Sequence, residues 1–291
     1  MTTPTRHPFL EHLDRAARLE AADPHVAWTP EQGALPSLYI SHGAPPVFED
    51  RAWMEQLHGW ARALPKPRAV LIVSAHWESA PLSITSTAPG TGLVHDFSGF
   101  DPAYSRMRYD TPDASELARL VVGVLPATET VHEHQGRGLD HGAWVPLKVM
   151  YPAADVPVLQ LSMPTHDPVR LLELGRRLRH LRADGVLVIG SGFLTHGLPF
   201  LTREMLFGQA PAPAWSREFD AWAGEALDAG DVETLAAYRD RAPGMPYAHP
   251  TVEHYTPLFV TLGAATTPDD PARQVIDGFW MGLSKRSLQV A

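Results

Sequence analysis

The sequence predicts an α/β fold in a single domain, and three observations carry that prediction. Short apolar runs of β type alternate with longer stretches of helical periodicity along most of the 291 residues. The run VPVLQLSM, the stretch DPVRLLELGRRLRHLRADG and the run GVLVIGSG read as strand, helix and strand, which implies a parallel pair joined by a right-handed crossover. A composition 44% hydrophobic and 20% charged is that of an ordinary folded chain with material for a sizeable core.

Each element has its own justification. Residues 1–35 read as an N-terminal extension: an amphipathic helix over residues 9–21, then a stretch carrying Pro24, Pro30, Gly33 and Pro36, expected to lie outside the main core. The domain proper, residues 36–291, opens with the strand SLYISH, which ends at His42 before Gly43 and two prolines turn the chain away. A helix over residues 50–63 follows. AVLIVSAHW is a near-continuous apolar run, as expected of a strand buried on both faces, and it delivers His76 at its end. LSITST is a further strand, then a helix covers residues 113–124. The strand–helix–strand unit spans residues 156–192, with its helix over residues 167–183, and another helix covers residues 214–228. A last helix is expected to begin near Thr251, between Pro250 and Pro257, with Glu253 and His254 in its first turn and His254 stacked over Leu258. His249 would then precede that helix, about 140° around the axis from His254, too far to share a metal with it. The 28 prolines imply long shaped loops, where sites are usually built.

Composition also narrows the function. A formal charge of −9, with no basic stripe, argues against a nucleic-acid or anionic-membrane partner. No apolar run reaches the roughly 18 to 20 residues of a membrane span, and the N-terminal stretch lacks the apolar core of a signal peptide, so a cytoplasmic location is expected. With no cysteine there is no disulfide, thiolate-bound zinc, iron–sulfur cluster or cysteine nucleophile, and any metal site must use His, Asp and Glu. The 15 histidines are therefore where the chemistry is sought.

Ligands of open α/β sheets bind at the C-terminal ends of the strands. His42 and His76 both stand at such ends, and they converge if their strands are neighbours, as consecutive strands usually are. GVLVIGSGFLTHGL places His196 four residues beyond Gly192. Its Gly-Ser-Gly turn suits an anion nest or a hydrolytic Ser191, but Ile189 and Phe193 occupy the positions where a nucleophile elbow needs glycine. LDHGAW presents Asp140 and His141, and VHDFSGF presents His95 and Asp96; either pair also suits a purely structural turn. His7, His12, His25, His58, His132, His134, His166 and His180 sit in polar or helix-surface contexts and are expected to be solvated.

The motifs HGAPP, SAHW, HDFSGF, LDHGAW, GSG-x-x-x-H and P-x-x-EH-x-x-PL, in that order over residues 37–290, resemble the class III extradiol ring-cleavage dioxygenases, most closely their 4,5-DOPA extradiol dioxygenase-like branch. The resemblance implies a central mixed, largely parallel sheet flanked by helices, with residues 36–291 as the catalytic domain and one divalent metal ion, Fe(II) or Zn(II), at a sheet edge. By position it implies His42, His76 and His254 as metal ligands. It makes His196 the acid/base histidine and possible fourth ligand, and His141 a second histidine that orients substrate or oxygen. His95 and Asp96 match a loop near the site mouth. Better-known members use two histidines and a glutamate. Here a histidine stands in the carboxylate's place, leaving a site charge of +2 rather than +1 and a donor set that also suits zinc.

The expected partners are thus a small aromatic substrate of the catechol class and dioxygen, with His196 moving the phenol proton. Trp77, Phe97, Phe100, Trp144 and Tyr255 are candidates for the cavity wall, and His95, Trp77 and Tyr255 are the residues expected to touch substrate. The residues leave two rivals open: a zinc hydrolase with Glu253 or His196 as base, and a non-catalytic metal-binding protein on the same scaffold. Oligomeric state is open as well.

Overall fold

The long apolar runs become strands buried on both faces, and their order across the sheet determines where the histidines arrive. In the computed structural model, which describes residues 6–291, the strands are β1 (Ser37–Ser41), β2 (Ala69–Glu78), β3 (Ser83–Thr85), β4 (His132–His134), β5 (Val158–Met163), β6 (Val186–Gly192), β7 (Arg273–Ile276), β8 (Phe279–Trp280), β9 (Leu283–Ser284) and β10 (Ser287–Val290). Among the described residues, eight of them form one sheet in the order β4-β3-β5-β2-β6-β1-β10-β7, while β8 and β9 pair as a separate hairpin. The four central strands run parallel; the β3–β5, β1–β10 and β10–β7 pairs are antiparallel. The sheet is therefore mixed and largely parallel.

The period-2 alternation of β2 divides the core into two layers. Leu71 and Val73 face one cluster, which also holds Leu171, Leu178 and Phe259; Val70 and Ile72 face the other, with Trp53, Leu57 and Trp144. The second layer is built by helices α1 (Pro8–Ala22), α2 (Arg51–Ala63) and α4 (His141–Met150), and the first by α3 (Ser115–Val124), α5 (Pro168–Leu178), α7 (Ala214–Ala229) and α10 (Pro257–Ala264). Three short helices, α6 (Arg203–Leu206), α8 (Val232–Ala236) and α9 (Tyr238–Arg241), complete the chain. No helix among the described residues is long and apolar enough to cross a membrane.

Several expectations need correction. Residues 6–35 do not lie outside the core: Phe9 stacks on Phe48 with ring centroids 4.2 Å apart, and Trp28 packs so closely over Gly185 that a Cβ there would sit 2.4 Å from its ring. Burying a ring of that size contributes roughly 1.5 to 3 kcal/mol. His12 is buried too, its Nε2 3.3 Å from the Val149 carbonyl, and so is His58. The last helix starts at Pro257, not Thr251; residues 251–256 are turns, so His254 does not stack over Leu258 along a helix. Proline at the first helical position fixes that start, since its missing N–H has no intrahelical partner there anyway.

The β8–β9 hairpin closes through Met281 and Gly282, both at positive φ (53° and 82°), the pattern of a type I′ turn. Glycine adopts that backbone freely, whereas a methionine there costs on the order of 1 kcal/mol.

Candidate metal centre

β1 and β2 are not neighbours, contrary to expectation: β6 lies between them. Their histidines nevertheless converge because the end of β6 is small. Gly190, Ser191 and Gly192 leave space above the strand, and a Cβ on Gly192 would stand 1.9 Å from the His254 carbonyl, one on Gly190 2.3 Å from the Pro257 carbonyl. The Gly-Ser-Gly sequence thus lets the turn before α10 lie against the sheet edge. The His254 carbonyl is then fixed by the Phe193 N–H at 2.9 Å and the Tyr39 hydroxyl at 2.8 Å. From β1, the His42 N–H donates to the Gly192 carbonyl at 2.9 Å. His76 lies where the β2–β5 register shifts between Val73 and Glu78, an irregularity of the kind that re-aims a side chain.

The three rings meet through Nε2. His76 Nε2 is 3.1 Å from that of His42 and 3.2 Å from that of His254. Ligands held about 2.1 Å from one ion stand about 3.0 to 3.4 Å apart, from octahedral to tetrahedral geometry, so the spacing fits a shared metal. The opposite ring nitrogens fix the tautomer. His42 Nδ1 donates to Ser191 Oγ at 2.9 Å, and that hydroxyl donates to the Gly142 carbonyl at 2.5 Å. His254 Nδ1 donates to Glu253 Oε1 at 2.9 Å. Both Nε2 lone pairs are thereby turned inward, as metal ligation requires. Burial, and then the neighbouring rings, hold His42 and His254 well below the usual histidine range; burial, His141 and His196 bring His76 to about 3 against the opposing pull of Asp96. The cluster is neutral, the form that binds a cation.

Around the triad stand two further histidines. His141, the first residue of α4, donates Nδ1–H to Asp96 Oδ1 at 2.7 Å, and the other carboxylate oxygen lies 3.5 Å from His76 Nδ1. Burial would raise the Asp96 pKa, but the bond from His141 and the two rings together lower it, so the carboxylate stays charged. His196 stacks on His254 with centroids 3.4 Å apart and planes 16° apart, and burial pulls it to about 3. It borders the site, yet it is outside the group in which the nitrogens of His42, His76 and His254 all lie within 4.8 Å of one another. Beneath them Asp140 is fully buried, bound by Ser74 Oγ at 2.8 Å and by the Gln160 side chain, with burial raising its pKa. It carries the loop that presents His141. Gly142 is obligatory there, because a Cβ would come within 2.3 Å of Ser74 Oγ and 3.0 Å of both His42 and His76.

The triad forms one wall of a cavity of about 350 Å³. The rest of the lining is mostly apolar: Phe193, Leu201, Leu206, Trp280 and Met281, with Phe97 and Phe100. A cavity of this size with convergent polar groups at one end is a small-molecule site.

The remaining sequence-derived candidates fall elsewhere. Tyr255 is fully buried away from the cavity, between Phe219 and Tyr238, with its hydroxyl on the Leu235 carbonyl at 3.2 Å. Trp77 faces the guanidinium of Arg137, 4.4 Å from its ring, and does not line the cavity. His95 is exposed and packs edge-on to Phe97 and Trp144, so its neighbour Asp96 is the residue that reaches the centre. His249 is a core residue whose Nε2 donates to the Leu194 carbonyl at 2.8 Å. Ser191 spends its hydrogen on a carbonyl and is no nucleophile. The roles of Asp96 and Glu253 behind the rings were missed; the signal was chemical, since a ligand histidine needs an acceptor on its other nitrogen.

The chain is similar to known proteins over most of its length. A family model described as the catalytic LigB subunit of aromatic ring-opening dioxygenase matches residues 36–275. A 4,5-DOPA dioxygenase extradiol of Beta vulgaris is 36% identical over 262 residues, covering 87% of this chain and 94% of its own length. One of Escherichia coli K12 is 34% identical over 263 residues, covering 88% and 94%. The crystal structure of an uncharacterized Escherichia coli K12 protein superimposes with a TM-score of 0.73 at 32% identity, over 88% of this chain and all of that one. On the match over residues 36–275 and the relatives above 30% identity, the chain belongs to the LigB family of metal-dependent aromatic ring-opening dioxygenases.

Proposed function

We propose that the chain opens a catechol ring beside its two hydroxylated carbons, with dioxygen as co-substrate, at a mononuclear centre held by His42, His76 and His254. The observation that carries this reading is the convergence of three Nε2 atoms, tautomers fixed by Ser191 and Glu253, on one side of a cavity otherwise apolar. Ligands gathered on one side leave the cavity side for substrate and oxygen. Fe(II) is the ion proposed for turnover, and when bound it supplies the redox chemistry that lets dioxygen react with an aromatic ring.

The protein's own contribution is to handle protons and exclude water. A catechol hydroxyl entering the cavity meets His196, neutral and without a hydrogen-bond partner for its ring among the described residues, which accepts a phenol proton and later returns it. His141 has its Nδ1–H committed to Asp96, so its Nε2 is left to accept a hydrogen bond from a substrate hydroxyl and orient it. The apolar wall keeps bulk water from competing.

Hydrolysis needs a base facing a metal-bound water, and of the two candidates, His196 and Glu253, the second is engaged elsewhere. Its Oε1 instead accepts from His254 Nδ1 at 2.9 Å and from the Thr251 hydroxyl at 3.0 Å, which makes it a ligand-orienting group. The test is a pair of variants: His76→Ala is expected to lose the metal, and His196→Ala to keep the metal but lose turnover. Normal catechol cleavage by His196→Ala would refute its role.

A further inference from the structure

The cavity has two unlike walls, and the second one reads the substrate. No lysine or arginine lines it, and Asp96 is the one carboxylate among the lining residues. The basic groups that follow the hairpin wall are committed elsewhere: Lys285 binds Asp50 at 2.6 Å and Arg286 binds Asp220 at 2.6 Å. A substituent bearing a carboxylate, directed away from the histidines, would find no cationic side chain and one anion. A cationic substituent would find only Asp96, one oxygen of which accepts from His141 while the other lies 3.5 Å from His76 Nδ1. The rim continues the apolar character, since Phe100, Leu198 and Leu206 line the cavity and remain 42%, 52% and 44% exposed.

Met281 stands at the hairpin tip and lines the cavity. It occupies the first turn position of the β8–β9 hairpin at φ 53°, where asparagine, aspartate or glycine would fit the backbone better. The tip is held in place: a Cβ on Gly282 would lie 3.1 Å from Pro213 and 3.5 Å from the Met205 sulfur. A residue retained against backbone preference at a cavity wall suggests a use for its side chain.

Resting on the ring-cleavage reading above, we propose that this site selects catechols whose ring substituent is uncharged and apolar, an alkyl or aryl group, and that Met281 is a specificity-determining residue seated against that substituent. Each methylene moved from water to such a wall strengthens binding by about fourfold when fully buried. An unpaired carboxylate on the same chain forfeits that gain.

The experiment measures equilibrium binding to the Zn(II)-loaded protein, which cannot turn over, by calorimetry with 4-butylcatechol, catechol, 3-(3,4-dihydroxyphenyl)propionate, 4-(2-aminoethyl)catechol and DOPA. The butyl compound is expected to bind tightest, at least about tenfold ahead of each charged compound. Equal or tighter binding of any charged compound overturns the proposal. Oxygen uptake by the Fe(II)-loaded protein with unsubstituted catechol separates the two claims: uptake with the wrong ranking leaves ring cleavage standing, and no uptake with any of the five removes both. In Met281→Asn the melting temperature is expected to hold or rise while the preference for the butyl compound over catechol shrinks. A retained preference, or a fall in melting temperature, overturns the role given to Met281.

Discussion

The two walls of the cavity differ in how their residues are held. On the histidine wall each ring of the proposed ligand set is held from behind, His42 by Ser191, His254 by Glu253 and His76 beside Asp96, and those partners are held in turn by Gly142, Thr251 and His141. On the apolar wall the side chains make no hydrogen bonds among the described residues, Leu206 is 44% exposed, and a strained turn presents Met281. Chemistry demands positions within fractions of an ångström, whereas recognition of an apolar group needs only surface. The same division separates this cavity from another. A second one of about 570 Å³ lies against Leu13, His58, Arg62, Lys66 and Tyr151, near the opposite, N-terminal ends of β2 and β5, yet its basic groups are paired with Glu20, Asp23 and Asp155 and no ligand nitrogens converge on it. Convergent polar atoms, and not volume, mark the site.

Substitutions should separate the walls. The largest effect belongs to His76→Ala, which removes the ligand shared by both close nitrogen contacts; metal content by elemental analysis should fall to background. Stoichiometric metal in that variant would break the distinction. A second strong effect is expected from acid. His249 is as buried as His42 and His254 but serves only the core, and burial lowers its pKa to about 4 despite the bond to Leu194. A histidine depressed in the folded state stays neutral while its unfolded form takes a proton, so its stabilisation is intact above about pH 6.5 and is lost as pH falls toward 4, by on the order of 3 kcal/mol. Denaturant titrations of metal-free protein at pH 7 and 5 should show this loss together with that of the other buried histidines, and His249→Gln should reduce it by His249's share; an unchanged slope in the variant would remove this histidine from the account.

Gly142→Ala comes next. The new Cβ forces Ser74, His42 and His76 apart, with an expected loss of about 1 to 3 kcal/mol in stability and weaker metal binding. Glu253→Gln keeps the size of the side chain but removes its charge from His254, and metal affinity should drop by roughly 10- to 100-fold. If affinity holds while hydrolysis of activated esters is lost, Glu253 is a base after all. Leu206→Ala on the apolar wall, at a position 44% exposed, should change stability by within about 0.5 kcal/mol and leave metal content untouched.

How far these features could be read beforehand follows from which interactions are local. The central strands were legible because a strand buried on both faces must be apolar throughout, and AVLIVSAHW and VPVLQLSM are. Helix α4 was not: HGAWVPLKVM is buried nearly all round and contains Pro146, so it has neither polar face nor helical composition. The start of α10 was placed six residues early because Pro250 and Pro257 both suit a first helical position, and only the turn packed on Gly192 decides between them. The periodicity of α1 announced a buried face without saying that Phe48 would cover it. Strand order was silent too, and β6 between β1 and β2 is what turned an unassigned Gly-Ser-Gly into the platform of the site. His42, His76 and His254 were named through a pattern of motifs. Asp96 acts through a bond to His141 that exists only once distant segments meet, whereas Glu253 accepts from its own neighbours His254 and Thr251 only because residues 251–256 form turns in place of the expected helix; His95 was chosen over its neighbour because nothing local says which of the two points inward.

The central claim, a three-histidine centre that opens a catechol ring with dioxygen, is tested most directly by oxygen consumption. Protein reconstituted anaerobically with one equivalent of Fe(II) and mixed with an unsubstituted or alkyl catechol is expected to consume one dioxygen per ring opened, and the His76→Ala variant none. Bound Fe(II) with no oxygen uptake on any catechol would contradict the account.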